Sequence, residues 1–242
     1  MVLTKDEERH LPDCLKSLAW ADEVLVFDSF SGDRTVEIAR QMGARVAQRR
    51  FVDYPRQRQA ALEAAGGDWV FFVDADERVT PELAAEIGEV ILQPTPVGWW
   101  VPRRNIIVGR WIRHTGWYPD YQLRLMRPNR ARYDLSRQVH ELVVLEGEEG
   151  HLRSEMVHYN YDTWGEFVRK QSRYARFDAR ILWREGVRPR PWKFVTQPLR
   201  EFRRRYLTLQ GYRDGLHGLL LSLLMAYYQV LVYTQLGRVQ EE

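Results

Sequence analysis

The first 92 residues alternate short apolar, β-branched runs with stretches of helical period. That alternation constrains the fold more than any other feature, because strand–helix–strand units around a parallel sheet satisfy it. Val2-Leu3-Thr4 reads as the end of a first strand, and Leu11, Leu15 and Leu18 then share one face of a helix over Pro12 to Leu18. Glu23 to Asp28 is a strand of the buried type, closed by the turn-rich Ser29-Phe30-Ser31-Gly32-Asp33. Helical period returns from Thr35 to Met42, where Gly43 stops it. Gly43 to Val46 begins a third strand, Gln57 to Ala65 is a third helix, and Asp68 to Asp74 is a fourth strand that runs into Ala75-Asp76-Glu77. Thr80 as N-cap and Pro81 in the first turn open the next helix.

Beyond Pro94 the pattern becomes aromatic and Arg-rich, with short strand candidates at Gly98 to Val101 and Gln122 to Met126, and mixed or antiparallel structure is expected there. Residues 163–185 are helical again, and Pro189, Pro191 and Pro198 punctuate an extended connection. The 242 residues suffice for one large or two small globular units. A single cysteine, Cys14, cannot form an internal bridge, and the start MVLTKDEERH carries acids where a signal peptide needs an apolar core, so a cytoplasmic setting is expected. The formal charge of +3 conceals a division: residues 1–159 hold 21 basic and 25 acidic side chains, residues 160–242 hold 15 and 8.

In an open parallel sheet ligands collect beyond the carboxyl ends of the strands, and two acidic clusters fall there: Asp28, and Asp74-Ala75-Asp76-Glu77. Carboxylates one residue apart repel unless a cation lies beside them, and hard oxygen ligands suit Mg²⁺ or Mn²⁺, which bridge nucleotide phosphates. The alternative is a solvated Asp-rich turn capping the next helix.

Several spaced segments together carry a family resemblance: Thr4-Lys5-Asp6-Glu7-Glu8, Cys14-Leu15, Ala21 through Thr35, Gln57 to Leu62, and Gly67 through Val79. In this order they resemble the inverting family 2 glycosyltransferases of the GT-A fold, most closely the branch with the bacterial lipopolysaccharide core β-glucosyltransferases. Phe30 stands where Gly is frequent and Asp6 where Asn is common. The first strand is short, as if its true start lay upstream of Met1. The resemblance implies an α/β domain with a mostly parallel, Rossmann-like sheet and a C-terminal helical extension. Residues 1–185 would form the transferase domain (1–92 binding the nucleotide sugar, 93–185 the acceptor) and 186–242 a helical tail.

The same resemblance implies roles. Thr4, Glu7 and Ser31 border the nucleoside, Asp28 accepts from a uracil or ribose, and Arg58 approaches the base or diphosphate. Asp74 contacts the ribose, Asp76 ligates a divalent metal, and His158 is a third metal ligand or pyrophosphate contact. Inverting transfer needs a carboxylate to deprotonate the acceptor hydroxyl. Glu141, in Val139-His140-Glu141-Leu142, is the first candidate, and Asp120, in a loop flanked by aromatics, its rival. Trp99, Trp100, Trp111 and Trp117 suit sugar stacking or, for most of them, packing.

The tail divides into a basic stretch, Arg188 to Arg213, with eight basic residues and one acid, and Gly215 to Gly237, which carries no formal charge. The first suits an anionic membrane surface. The second is long enough to span, yet its interspersed His217, Ser222, Gln229, Thr234 and Gln235 better suit a helix lying in the cytoplasmic leaflet or packing in a homo-oligomer. The expected activity is hexose transfer from a UDP-type sugar to a lipopolysaccharide-core or other lipid-linked acceptor, peripheral on the inner face of the membrane and without a nucleic-acid partner. Two competing readings are weaker. A nucleotidyltransferase wants a Gly-rich basic loop after the first strand, where Thr4 to Glu8 is acidic, and a nucleic-acid-binding module leaves the strand-end acids idle.

Overall fold

The computed structural model describes residues 1–135 and 143–239. These divide into two compact units, the first formed by residues 1–103, 120–135 and 143–158, the second by 104–119 and 159–239.

Unit 1 begins with the expected alternation: β1 (Val2–Thr4), α1 (Leu11–Ser17), β2 (Leu25–Asp28), α2 (Thr35–Gln41), β3 (Arg45–Gln48) and α3 (Tyr54–Glu63). The anticipated fourth strand is two strands, β4 (Val70–Phe71) and β5 (Val73–Asp74), which join different sheets. β5 pairs parallel with β1, completing a parallel sheet in the order β3-β2-β1-β5, whereas β4 pairs antiparallel with β9 (Asp120–Met126). Phe72 is the pivot. It is fully buried and its N–H donates to Arg124 O at 2.8 Å, while Val73 N–H donates to Met1 O at 2.9 Å.

β6 (Glu77–Val79), α4 (Pro81–Val90) and β7 (Gly98–Ile107) follow. Thr80 caps α4 as expected, accepting from Leu83 N at 3.2 Å. β7 runs antiparallel to β9, and the second sheet gains β12 (Glu149–His151), parallel to β7, and the first half of β13 (Met156–Tyr161), antiparallel to β6. A separate pair, β10 (Ala131–Tyr133) with β11 (Val143–Leu145), is antiparallel. One core packs Val2, Leu11, Val26, Leu83, Ile87 and Leu125; another packs Phe27, Leu62, Phe72, Met126 and Tyr133.

Unit 2 contains the far half of β7 with β8 (Arg110–Trp111), and three helices, α5 (Trp164–Arg184), α6 (Lys193–Arg203) and α7 (Gly215–Arg238). The division differs from the boundary expected near residue 185, because α5 shares a core with α7: Phe167 and Ala175 pack with Leu221, Met225 and Val232. Tyr228 OH donates to Asp178 Oδ2 at 2.6 Å across the same pair. A second difference concerns Pro198, which lies inside α6 rather than in extended chain. It removes one helical hydrogen bond, and the packing of α6 along α7 offsets that loss. The helical stretch Gly211–Arg238 is long and apolar enough to cross a membrane by length and composition, and 39% of its apolar window is buried.

Gly218 sits where a Cβ would lie 1.8 Å from the backbone oxygen of Gly211. Gly218→Ala is therefore expected to destabilise the protein by about 1–3 kcal/mol despite alanine's helix propensity, read as a lower urea midpoint at unchanged slope.

Candidate active site

The parallel register sets Thr4 beside Asp28 and Leu3 beside Asp74, so residues far apart in sequence end at one edge of the sheet. Asp28 is fully buried. Its Oδ1 accepts from Thr4 Oγ1 (3.0 Å) and Ser31 Oγ (2.5 Å), and its Oδ2 from Ser31 N (3.0 Å) and Gln48 Nε2 (2.9 Å). Burial alone would raise this carboxyl, but the hydrogen bonds outweigh it and hold Asp28 below the ordinary carboxylate range. The residue expected to accept from a base or ribose thus takes its hydrogen bonds from the protein, and clamps the loops after β1 and β2. Ser31 Oγ also accepts from Asp6 N (2.9 Å), and Glu7 N donates to Thr35 Oγ1 (2.8 Å), so Thr4, Glu7 and Ser31 belong to one stitched rim.

From Asp74 an alternating chain of charges crosses unit 1. Arg58 Nη2 donates to Asp74 Oδ1 at 3.0 Å; Arg124 Nη2 reaches Asp74 Oδ2 at 2.5 Å and Glu77 Oε1 at 2.8 Å. Arg103 Nη1 donates to the same Glu77 oxygen at 3.2 Å, and its Nε and Nη2 donate to Asp120 Oδ2 at 2.9 and 2.6 Å. Gln122 Nε2 donates to Asp120 Oδ1 at 2.9 Å and closes the series. Glu77 is 0% exposed and also accepts from Asp74 N at 2.8 Å, which folds the Asp74-Ala75-Asp76-Glu77 turn back on itself. Burial opposes ionisation of Asp74, yet Arg124 and Arg58 overcome it and hold this carboxyl far below the usual range; burial likewise opposes the charge on Arg124, and Asp74 and Glu77 more than restore it.

Asp76 is treated differently. Its Oδ2 lies 3.4 Å from Nε2 of the buried His158, brought there by the β6–β13 pairing that sets His158 opposite Glu77. Among the described residues no group of three His, Cys, Asp or Glu side chains gathers to form a closed metal cage. One carboxylate fits a cation that takes most of its ligands from phosphate and water, the manner in which Mg²⁺ is commonly held, whereas the imidazole beside it is a less usual ligand for Mg²⁺.

Asp120 is joined to this network, whereas Glu141 lies outside the described residues. Trp99 is in the core and Trp117 packs on Tyr161 and Phe167, as expected of packing residues. Trp111 is flanked by the guanidiniums of Arg104 and Arg113, and Trp100 stacks on His151. Cys14 is buried and its thiol is pushed up to about 12 by desolvation, so it is inert at neutral pH.

The model of the family described as Glycosyl transferase family 2 matches residues 1–142. The chain belongs to that family. Among relatives of this family 2 glycosyltransferase, the lipopolysaccharide core biosynthesis glycosyltransferase LpsC of Rhizobium meliloti (strain 1021) is 32% identical over 243 residues, spanning 95% of this chain and 88% of LpsC. The uncharacterized glycosyltransferase RC0292 of Rickettsia conorii (strain ATCC VR-613 / Malish 7) is 24% identical over 254 residues, spanning 97% and 88%. Among solved structures, S. aureus TarS 1-349 in complex with UDP is similar at 16% identity and a TM-score of 0.49, over 100% of this chain and 89% of that one.

Sequence reasoning did not single out Arg103, Arg124 or the buried role of Glu77. Asp120, Gln122 and Arg124 alternate along β9 with apolar residues, which reads as one solvated face of a strand. At Arg124, 4% exposed, that face is covered, and only its partners Asp74 and Glu77 reveal it.

Two expectations follow. Arg124→Met leaves Glu77 buried beside one cation instead of two, and a loss of about 3–5 kcal/mol is expected in chemical unfolding. Because Asp74 is more acidic in the folded chain than the ordinary value near 3.9, its contribution is complete above about pH 4 and is lost as pH falls below that. Asp74→Asn should accordingly be less stable at neutral pH and show a flatter stability profile between about pH 4 and 2.

Proposed function

We propose that this family 2 glycosyltransferase moves a hexose, with inversion, from a UDP-type nucleotide sugar to a lipopolysaccharide-core or other lipid-linked acceptor at the cytoplasmic face of the membrane. The observation that carries the reading is the split between the two strand-end carboxylates: Asp74 fixed by Arg58 and Arg124, and Asp76 set beside His158 at the same edge of the sheet. The likeness of the whole chain to LpsC supports the acceptor class.

In this reading Thr4, Glu7 and Ser31 shape the rim that receives the nucleoside, with Asp28 holding that rim rather than the ligand. Arg58, whose guanidinium spans Asp74, presents positive charge toward the ribose and diphosphate side. Asp76 and His158 would hold Mg²⁺ or Mn²⁺, and the bound cation supplies charge that stabilises the departing diphosphate. Asp120 takes the proton of the acceptor hydroxyl. It is preferred over Glu141 because Arg103 ties it to Glu77 and hence to the turn carrying Asp76, so base and leaving-group side are held by one rigid network. Arg103 and Gln122 fix the orientation of its two oxygens.

The basic, aromatic α6 region supports peripheral membrane attachment. Trp192, Val195 and Leu199 are 55%, 61% and 63% exposed among Arg188, Arg190, Arg200 and Arg203, the composition of a helix that lies in the headgroup layer.

Steady-state transfer with UDP-glucose as donor and lipopolysaccharide core as acceptor tests the site. Asp120→Asn is expected to lower kcat by roughly 10²–10⁴ with little change in donor KM, and Asp76→Asn to abolish the Mn²⁺ dependence of turnover and of UDP binding. A collapse of kcat in Glu141→Gln with Asp120→Asn active would move the base to Glu141. Asp76→Asn retaining metal-dependent UDP binding would sink the metal assignment.

A further inference from the structure

We propose that the segment from Arg49 to Arg56, the loop after β3 together with the first turn of α3, is a second lipid-contacting element, built into unit 1 and suited to anionic headgroups. The inference rests on the membrane reading above and extends it from the tail to the unit that carries the candidate site.

β3 ends at Gln48, so this loop leaves from the carboxyl edge of the parallel sheet, the edge at which Thr4, Asp28 and Asp74 end. Within four residues it exposes three large apolar side chains, Phe51 at 47%, Val52 at 66% and Tyr54 at 58%. Phe51 and Tyr54 meet edge to face with centroids 5.0 Å apart, so the aromatic pair is held together. Asp53, the loop's single acid, is consumed internally: it accepts from Arg56 N at 2.9 Å as the cap of α3 and pairs with the Arg56 guanidinium. Arg49 and Arg50 are exposed and make no ion pair among the described residues.

Uncompensated guanidiniums beside exposed aromatic and β-branched side chains match a surface that is anionic outside and apolar just beneath. Aromatic rings are favoured at that boundary, and the two arginines reach phosphate while Phe51 and Val52 leave water. A nucleic acid would use the arginines and rings but leave Val52, the most exposed of the three, without a partner. Because the loop shares its edge with Asp74, contact of this kind brings the donor side of the site to the surface where a lipid-linked acceptor resides.

The test uses the full chain and vesicles of phosphatidylcholine with or without phosphatidylglycerol. Cys14, the single cysteine, is buried, so Val52→Cys offers one accessible thiol for an environment-sensitive nitrobenzoxadiazole label. The label is expected to brighten and shift to the blue only with vesicles containing phosphatidylglycerol. Arg49→Gln with Arg50→Gln is expected to weaken vesicle binding roughly thirtyfold, about fivefold per guanidinium, with UDP-sugar hydrolysis retained as the sign of an intact fold. If the unmodified chain floats with anionic vesicles while the label keeps its aqueous emission, or while the double arginine variant binds unchanged, the loop is not a lipid contact and only this inference fails. If the unmodified chain does not float at all, the tail reading fails with it.

Discussion

A glutamate cannot be buried alone in a charged state, and Glu77, with no solvent exposure, sets the terms for everything around it. Two arginines from two different strands, Arg103 on β7 and Arg124 on β9, converge on one of its oxygens. Once two guanidiniums are present, one acid is too few, and Asp74 and Asp120 supply the remaining charge on either flank. Charge balance therefore recruits residues from β5, β6, β7 and β9 and from helix α3 into one ordered assembly. Stability is not the clearest return on such an arrangement, because buried ion pairs roughly break even against apolar packing; what it delivers is fixed orientation of the groups that it joins.

The topology makes this convergence available. The chain changes sheets at Phe72, with Val70 and Phe71 paired to β9 and Val73 and Asp74 paired to β1. A single continuous strand would leave the acidic turn attached to the parallel sheet alone. The switch places that turn where strands of the second sheet can reach it, and Phe72, wedged against Tyr133 with centroids 6.0 Å apart, anchors the crossing.

The alternation of the first 92 residues was legible because each helix and strand there is amphipathic or uniformly apolar on its own account, and Thr80-Pro81 and Gly43 punctuate it by local chemistry. Asp74 and Asp76 were legible as a strand-end pair. Arg124 was not, since an arginine between two leucines in a strand has the same pattern whether its face meets water or packed protein, and Arg103, within Pro102-Arg103-Arg104-Asn105, shows no alternation. The α5 helix was seen but grouped with the transferase half, because its buried residues Phe167, Ala175 and Ala179 do not name their partner; α7 covers them. Pro198 misled for a related reason: proline costs a helix one hydrogen bond, and a neighbouring helix can repay that loss without any local sign.

The two aspartates of the Asp74-Ala75-Asp76 turn show how a symmetric motif acquires asymmetric chemistry. Both carboxylates leave the same strand end, but Asp74 is adjacent to Arg58 and Arg124, and a carboxylate neutralised by two guanidiniums has little left to offer a dication. That pairing also lowers the local negative potential, so Asp76 need not be repelled by its neighbour when no cation is present. Asp76 Oδ2 lies 3.4 Å from Nε2 of His158. A cation would have to displace two arginines to reach Asp74.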